Sequence, residues 1–350
     1  MTSAPTLRDR LARFRTGAAL VLLGGSLALH AMVVLSFVFR WDKAALVTVV
    51  PFFVWCGMGL SLAVVSAFFQ PTLLFRVLGV VWLGTLVLGA DERHGLLRFR
   101  SQVPQPHPPV AGASGQPLRF ATLNCHYFGQ EGMDTVTSWG PDILFLQETT
   151  PGSGVVDLAR RLYGNQALIV RRHDCTILAR GSVIRAIDLS SPAVPPGDLS
   201  RNAMGRLTLA NGREIDLVNL HLLAAETNTA FWRRSCWQAH AHNRRMRRIL
   251  LHYFVSGCQS ATAGWPPAPS IIAGDFNAPA EDGAIRGLAA THLDSYVTAG
   301  QGIGDTFPAN FPLHRIDQVW LSPGLAAIGH TTVPVPGSDH LMVVVDFEMK

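Results

Sequence analysis

Beyond residue 117 the chain carries polar residues where short apolar runs begin or end. Asn124 closes LRFATLN, Glu148 closes DILFLQE, and His221 sits in VNLHL. Asp275 and Asn277 follow the apolar SIIAG, Asp317 opens a run in RIDQVW, and Asp339-His340 precede LMVVVDF. Strand ends can hold such groups rigidly over a cleft. Carboxylate and amide oxygens suit a hard cation such as Mg²⁺, and carboxylate with imidazole suits proton transfer during hydrolysis. Each cluster alone also reads as a turn, because Asn and Asp favour turns. Their recurrence at one kind of position points to chemistry.

These runs look like buried strands: Leu118–Asn124, Asp142–Glu148, Ser270–Gly274, Arg315–Leu321 and Leu341–Phe347. Ala167–Arg172 and Thr176–Arg180 suggest a hairpin about His173-Asp174. Asn211-Gly212 between Gly205–Ala210 and Glu214–Leu222 is the strongest short-range hairpin signal. Phe231–Phe254 reads as one long basic helix. Many strands with few helices between them favour stacked sheets over a doubly wound parallel sheet.

Other chemistries lack their signatures. No GxSxG, P-loop or GxGxxG element is present, which removes serine-hydrolase, nucleotide-triphosphatase and dinucleotide readings. The five cysteines show no CxxC spacing, so a zinc site is not indicated. Cys236 with Cys258 is the first disulfide pair to examine in an extracytoplasmic domain; free thiols are an equal reading. The net charge of +5 rests almost wholly on arginine, without a basic tail, and does not argue for nucleic acid.

The N-terminal part is different in kind. Ala18–Phe39 and Ala44–Phe69 are uncharged apolar runs, and Leu73–Ala90 is broken only by Arg76. About 20 such residues cross the hydrocarbon core as a helix. The expected organisation is therefore a basic N-terminus (1–17), a three-helix anchor (18–39, 44–69, 73–90), a Pro/Gly-rich linker (91–117) and a catalytic domain (118–350). Arg8, Arg10, Arg13 and Arg15 before the first run place the N-terminus in the cytoplasm. Three spans then put the catalytic domain outside a bacterial inner membrane.

In order, TLN, LQE, NLHL, GDFN, RID and SDH are similar to the signature motifs of the endonuclease/exonuclease/phosphatase, or DNase I-like, superfamily. The resemblance spans about residues 118–349. It implies a four-layer αββα sandwich with the active site at one edge, and a Mg²⁺ cofactor with Mn²⁺ as the alternative ion. By resemblance, Glu148 is the principal metal ligand, with Asn124 and Asp339 completing or orienting the shell. Asp275 aligns or deprotonates the attacking water, and Asn277 holds that water or a phosphate oxygen. His340 contacts the phosphate and is oriented by Asp317, while His221 takes a supporting acid–base or phosphate-binding role.

Lesser candidates are weighed against plain structure. His126 lies near Asn124 and could touch substrate, with a surface histidine as the default. His240 and His242, two apart on the long helix, do not share a face and read as solvated. The arginines of that helix could meet anionic headgroups, with a solvated outer helix as the default. Thr306-Phe307-Pro308 resembles a family segment that shapes the pocket. A hydrophobic anchor on such a domain resembles the VanJ-type teicoplanin-resistance proteins, which implies a lipid-linked pyrophosphate or phosphodiester as substrate. An extracytoplasmic nuclease acting on DNA is the second reading. A catalytically silent membrane-bound binding protein is the third.

Overall fold

A computed structural model of the chain describes residues 6–69, 73–98, 103–106, 117–126, 129–149, 154–189 and 201–350. Most of the expected linker, and the first five residues of the basic N-terminus, lie outside these. The chain divides into two compact units, Met1–Arg93 with Thr229–Ala241, and His94–Asn228 with His242–Lys350.

The first unit is helical. α1 (Leu7–Phe39) starts at a capping box, in which Thr6 and Asp9 satisfy each other's backbone N–H groups. The basic stretch before Ala18 is therefore part of the helix. The expected 44–69 helix is interrupted: α2 covers only Ala45–Thr48, and α3 begins at Phe52. Pro51 explains the break, because it removes an N–H and steers the preceding residue away from helical geometry. α4 (Leu73–Gly89) and the short α5 (Arg93–Leu96) follow.

α1 and α3 are long and apolar enough to cross a membrane; α4 is shorter. The three helices lock through small and polar groups, as helices in lipid do. Trp82 Nε1 donates to Ser26 Oγ at 2.9 Å, and His30 pairs with Thr85 at 2.8 Å. Trp82 lies so close to Gly59 that a Cβ there would sit 2.0 Å from its ring.

The second unit has two six-stranded sheets. The first has the order β11-β12-β1-β2-β4-β3 and the second β5-β6-β7-β8-β10-β9. The first contains β1 (Leu118–Asn124), β2 (Ile143–Gln147), β3 (Ala167–Arg172), β4 (Cys175–Arg180), β11 (Leu325–Pro334) and β12 (Leu341–Met349). The second contains β5 (Val183–Ala186), β6 (Asn202–Thr208), β7 (Glu214–His221), β8 (Ser270–Asp275), β9 (Leu293–Asp294) and β10 (Asp317–Leu321).

Central strands such as ILFLQ are apolar without alternation because both faces are covered. Phe120, Phe145 and Ile177 face Leu207, Leu217, Ile271 and Val319 in the layer between the sheets. α6 (Gln130–Trp139) and α7 (Val155–Tyr163) cover the outer face of the first sheet through Val136, Leu158 and Leu162. Leu250, Leu251 and Phe254 of α8 (Arg234–Ala261) cover the second. The short α9 (Ser295–Ala299) follows β9. The result is a four-layer αββα sandwich.

Two expectations need correction. His240, Arg244 and Arg247 are buried, so α8 is not simply a solvated basic helix. Arg244 is held by Asp282 at 3.0 Å, and Arg247 donates to the carbonyl of Asn277. All five cysteines are free thiols. Cys236 and Cys258 lie on one helix, 258 − 236 = 22 positions apart, or about 33 Å at 1.5 Å per residue.

Candidate active site

Strand register assembles the site. Parallel pairing of β7 with β8 sets His221 opposite Asp275, and antiparallel pairing of β8 with β10 sets Asp317 opposite Asp275. Three functional groups thus form one row across the second sheet. In the first sheet, β1 and β2 run parallel with Asn124 opposite Gln147, so Glu148 follows immediately. The sheets are tied beneath the site by buried amides. Gln147 Nε2 donates to Thr122 Oγ1 at 3.1 Å and to Asn219 Oδ1 at 2.7 Å, and Asn219 Nδ2 donates to the carbonyls of Leu146 and Thr176. Buried networks of this kind favour one arrangement, here with every amide proton named above placed and Gln147 Oε1 left without a partner.

The backbone is specialised where these groups are presented. Glu148 and Asn277 adopt positive φ of 57° and 49°. Non-glycine residues there are held by their surroundings and cluster at functional sites. Gly274 has φ of 130°, and a Cβ would lie 2.0 Å from the Leu220 carbonyl oxygen, which requires the glycine of GDFN.

The side chains converge. Asn124 Nδ2 donates to Glu148 Oε1 at 3.0 Å and to Asp275 Oδ2 at 3.2 Å. His221 Nε2 lies 3.8 Å from Glu148 and 3.9 Å from Asp275. Asn277 donates to Asp275 from its backbone N–H to Oδ1 at 2.8 Å and from Nδ2 to Oδ2 at 3.3 Å, and Nδ2 also donates to the Leu222 carbonyl at 2.9 Å. His340 Nδ1 pairs with Asp317 Oδ2 at 2.8 Å, and Phe307 packs on the imidazole at 4.8 Å. Thr306 Oγ1 accepts from the Asp317 N–H, so the Thr306-Phe307-Pro308 segment does touch this pair. Ser338 Oγ donates to the Asn124 carbonyl at 2.6 Å and accepts the His340 N–H at 3.0 Å, joining SDH to β1. His126 Nδ1 lies 3.5 Å from Glu148 and 4.0 Å from Asp339, at the exposed rim.

One partner escaped the sequence reading. Asp174 Oδ2 lies 2.9 Å from His221 Nδ1. It occupies the two-residue turn between β3 and β4, where an aspartate looks like turn chemistry. The only signal was a His-Asp turn where Asn-Gly is usual. The site therefore has two imidazole–carboxylate pairs, His221–Asp174 and His340–Asp317.

Burial and charge set the protonation states. Burial pulls His340 down, but the Asp317 charge and hydrogen bond, with Asp275 and Asp339, raise it from 6.5 to about 9. His221 is raised in the same way by Asp174, Asp275 and Glu148 against burial. Asp275 is raised by burial first and by Asp317 second, with the two histidines opposing. Burial works against ionisation of Asp174, and the His221 hydrogen bond and charge outweigh it and lower its pKa.

Two groupings could hold a cation. Asp275, Asp317 and His340 offer ligand atoms within 4.8 Å of one another. In that grouping His340 Nδ1 and Asp317 Oδ2 are already paired with each other at 2.8 Å. Glu148 and Asp339 are carboxylates at a more open rim, with side chains 37% and 47% exposed, and the buried Asn124 adjoins Glu148 through its amide, whose oxygen accepts the His126 N–H. That donor chemistry and partial hydration fit Mg²⁺.

The sequence profile of the Endonuclease/Exonuclease/phosphatase family matches residues 121–340. The chain belongs to this family. It is a hydrolase of the type that acts on phosphoester bonds. Among solved structures, the human Nocturnin catalytic domain with bound sulfate is 17% identical, with 72% of this chain and 97% of that one covered and a TM-score of 0.50. The mannosyl-6-phosphatase of Bacteroides thetaiotaomicron is 18% identical, covering 66% and 100%, with a TM-score of 0.48. A humanized TDP2 of D. rerio is 19% identical, covering 67% and 99%, at 0.49. No curated protein matches.

Proposed function

We propose that the chain is a membrane-anchored, Mg²⁺-dependent phosphoesterase, with Mn²⁺ as a substitute ion, that cleaves a phosphodiester or pyrophosphate bond of a lipid-linked substrate. One observation carries the hydrolytic part. Residues as distant in sequence as Asn124, Glu148, His221 and Asp275 meet within hydrogen-bonding or near-contact distances at one edge of the sandwich. The apolar α1 and α3 support the membrane and lipid part.

Glu148, Asn124 and Asp339 would hold the cation. A cation held there would supply polarisation of the phosphoryl oxygen and stabilisation of charge on the leaving oxygen. Asp275, with a pKa raised toward neutrality, accepts a proton from the attacking water, and Asn277 fixes the orientation of Asp275 through its backbone N–H. His340 donates from Nδ1 to Asp317 Oδ2, which leaves Nε2 to donate to a phosphate oxygen. His221, held by Asp174, is placed to stabilise charge or transfer a proton beside Glu148 and Asp275. His126 supplies a rim contact to the substrate.

The test is turnover by the detergent-solubilised full chain with Mg²⁺ or with EDTA. The panel contains undecaprenyl pyrophosphate, phospholipids, sphingomyelin and plasmid DNA. Mg²⁺-dependent release of product from a lipid, abolished in Asp275→Ala, is the expected result. Strongly salt-dependent cleavage of plasmid alone would replace the lipid substrate by DNA. We place the catalytic domain outside the inner membrane as part of a multi-pass topology. An alkaline phosphatase fusion at Leu118 should then be active, and an inactive one would reverse the orientation.

A further inference from the structure

We propose that Phe231–Trp237 is a second membrane contact, an aromatic and basic segment seated among anionic phospholipid headgroups. This rests on the membrane-anchored reading above. It adds a lipid-facing element that lies about 140 residues beyond the last anchor helix and that hydropathy alone does not mark.

The segment belongs to the same compact unit as α1, α3 and α4. The Phe231 ring meets Trp55 at 6.0 Å and Trp237 at 6.3 Å, both edge-on. Phe231 and Trp237 pack against the cluster of Val33, Val47 and Trp55, at the C-terminal end of α1 and the first turn of α3. Trp237 Nε1 donates to the Phe231 carbonyl and Trp55 Nε1 to the Val47 carbonyl, each at 2.8 Å. The segment is therefore fixed at one end of the apolar helices, where a spanning helix leaves hydrocarbon for headgroups.

What the segment displays at that level is unusual for a water-facing surface. Trp232 is 82% exposed, the most exposed of the large apolar side chains described. Phe39 and Trp41, stacked at 4.9 Å, are 48% and 53% exposed at the end of the same unit. Indole rings favour the interfacial zone, where the ring is apolar and the N–H stays wet. FWRRSCW carries two arginines and no acid, and Arg233, Arg234 and Lys43 are exposed. Basic groups beside an aromatic belt complement acidic headgroups. Continuity with α1 and α3, together with this charge, selects a bilayer surface as the occupant over a protein.

The experiment uses the full chain in vesicles of phosphatidylcholine with a minority of phosphatidylglycerol. A polarity-sensitive fluorophore is attached at Trp232→Cys, with Leu20→Cys on α1 and Asn211→Cys in the exposed hairpin turn as references. The native cysteines are buried, and the unsubstituted chain serves as the labelling blank. The label at 232 should emit to the blue of that at 211, be quenched by nitroxide-bearing lipid and resist aqueous iodide. Omitting the acidic lipid, or introducing Arg233→Glu with Arg234→Glu, should shift it back toward the emission at 211. An aqueous signal at 232 with a lipid-embedded signal at 20 overturns the inference alone. Aqueous signals at both sites overturn the membrane reading itself. An embedded 232 label indifferent to acidic lipid and to the arginine changes overturns the anionic-headgroup assignment.

Discussion

Asp317→Asn should convert His340 from a permanently charged donor into one that titrates within the working range. Asp317 is fully buried, and His340 is 5% exposed. Burial alone pulls the imidazole below 6.5; Asp317 foremost, then Asp275 and Asp339, raise it to about 9. At about 1.4 kcal/mol per pH unit, the surroundings favour the imidazolium by on the order of 3 kcal/mol. Asparagine keeps the shape and an oxygen for Nδ1 but removes the charge. An imidazole returned to the ordinary value of 6.5 would be only about 3% protonated at pH 8. A loss in kcat/KM on the order of 10²-fold is expected there, at the lower end of what a positioned acid supplies.

The sign of the pH dependence separates this from simple damage. The native enzyme keeps His340 charged up to about pH 9, so this group leaves its rate unchanged between pH 6 and 8. The variant should recover as pH falls, its deficit at pH 6 at least tenfold smaller than at pH 8, because His340 regains its proton. The Asp275 pKa falls as well, since Asp317 is one of the groups holding it up, and that keeps the base ionised at the lower pH. The assay is kcat/KM on the best substrate of the panel, at saturating Mg²⁺, between pH 6 and 9. His340→Gln with Asp317→Asn should be no slower than His340→Gln alone. Equal deficits at pH 6 and 8, or additive losses in the double variant, would refute the assignment.

Asp174→Asn should lower turnover by roughly 10-fold or more and shift the His221 resonance in a proton titration to a lower pKa, because it removes the nearest carboxylate on Nδ1; an unmoved His221 titration counts against the pair. Glu148→Ala should raise the Mg²⁺ concentration needed for half-maximal turnover by roughly 10-fold or more, with the Asp339 and Asn124 donors left in place; an unchanged Mg²⁺ titration removes Glu148 from the metal set. Phe145→Ala should cost about 3–5 kcal/mol, read as a lowered denaturation midpoint, because its fully buried ring packs on Phe120 at 4.8 Å. Burial first, then Arg315 and Arg98, push His330 down to about 3, so between pH 6.5 and 3 the unfolded chain binds a proton that the folded chain refuses. Folding stability should therefore fall by about 2 kcal/mol from pH 7 to pH 5 through this group, and His330→Gln should flatten that slope in thermal melts.

The strand-borne site residues were legible because their signal is local. An apolar run that stops at a polar residue marks both the strand and the end that carries chemistry, as in DILFLQE and IIAGDFN. The Asn-Gly hairpin and the His173-Asp174 hairpin followed from turn chemistry and strand spacing alone. Helices α6 and α7 were passed over, because each is short and flanked by glycine, with no long apolar stripe. The inward arginines of α8 were also hidden. Arg244 and Arg247 read as solvent-facing charge until Asp282 and the Asn277 carbonyl, from another part of the chain, supply their partners. Asp174 failed for the same reason. Its role depends on a histidine 47 positions away, and nothing in a turn sequence encodes that distance.

Charge balance at the site favours a bound cation once a phosphoester enters. Glu148, Asp174, Asp275, Asp317 and Asp339 contribute −5 when ionised; His221 and His340 return +2, and Arg201 acting on Asp174 with Arg247 acting on Asp275 return another +2, leaving −1 (−5 + 4 = −1). A phosphodiester brings one more negative charge into surroundings where water screens it poorly. The two imidazoles are held at Nδ1 by their own carboxylates, which leaves only Nε2 of each for the substrate. Their pKa values are raised by this same negative excess, which makes them a measure of it. Chelation should therefore weaken substrate binding as well as turnover. A chain that binds its phosphoester equally well in EDTA would show that the carboxylates are not jointly ionised around the reacting phosphate.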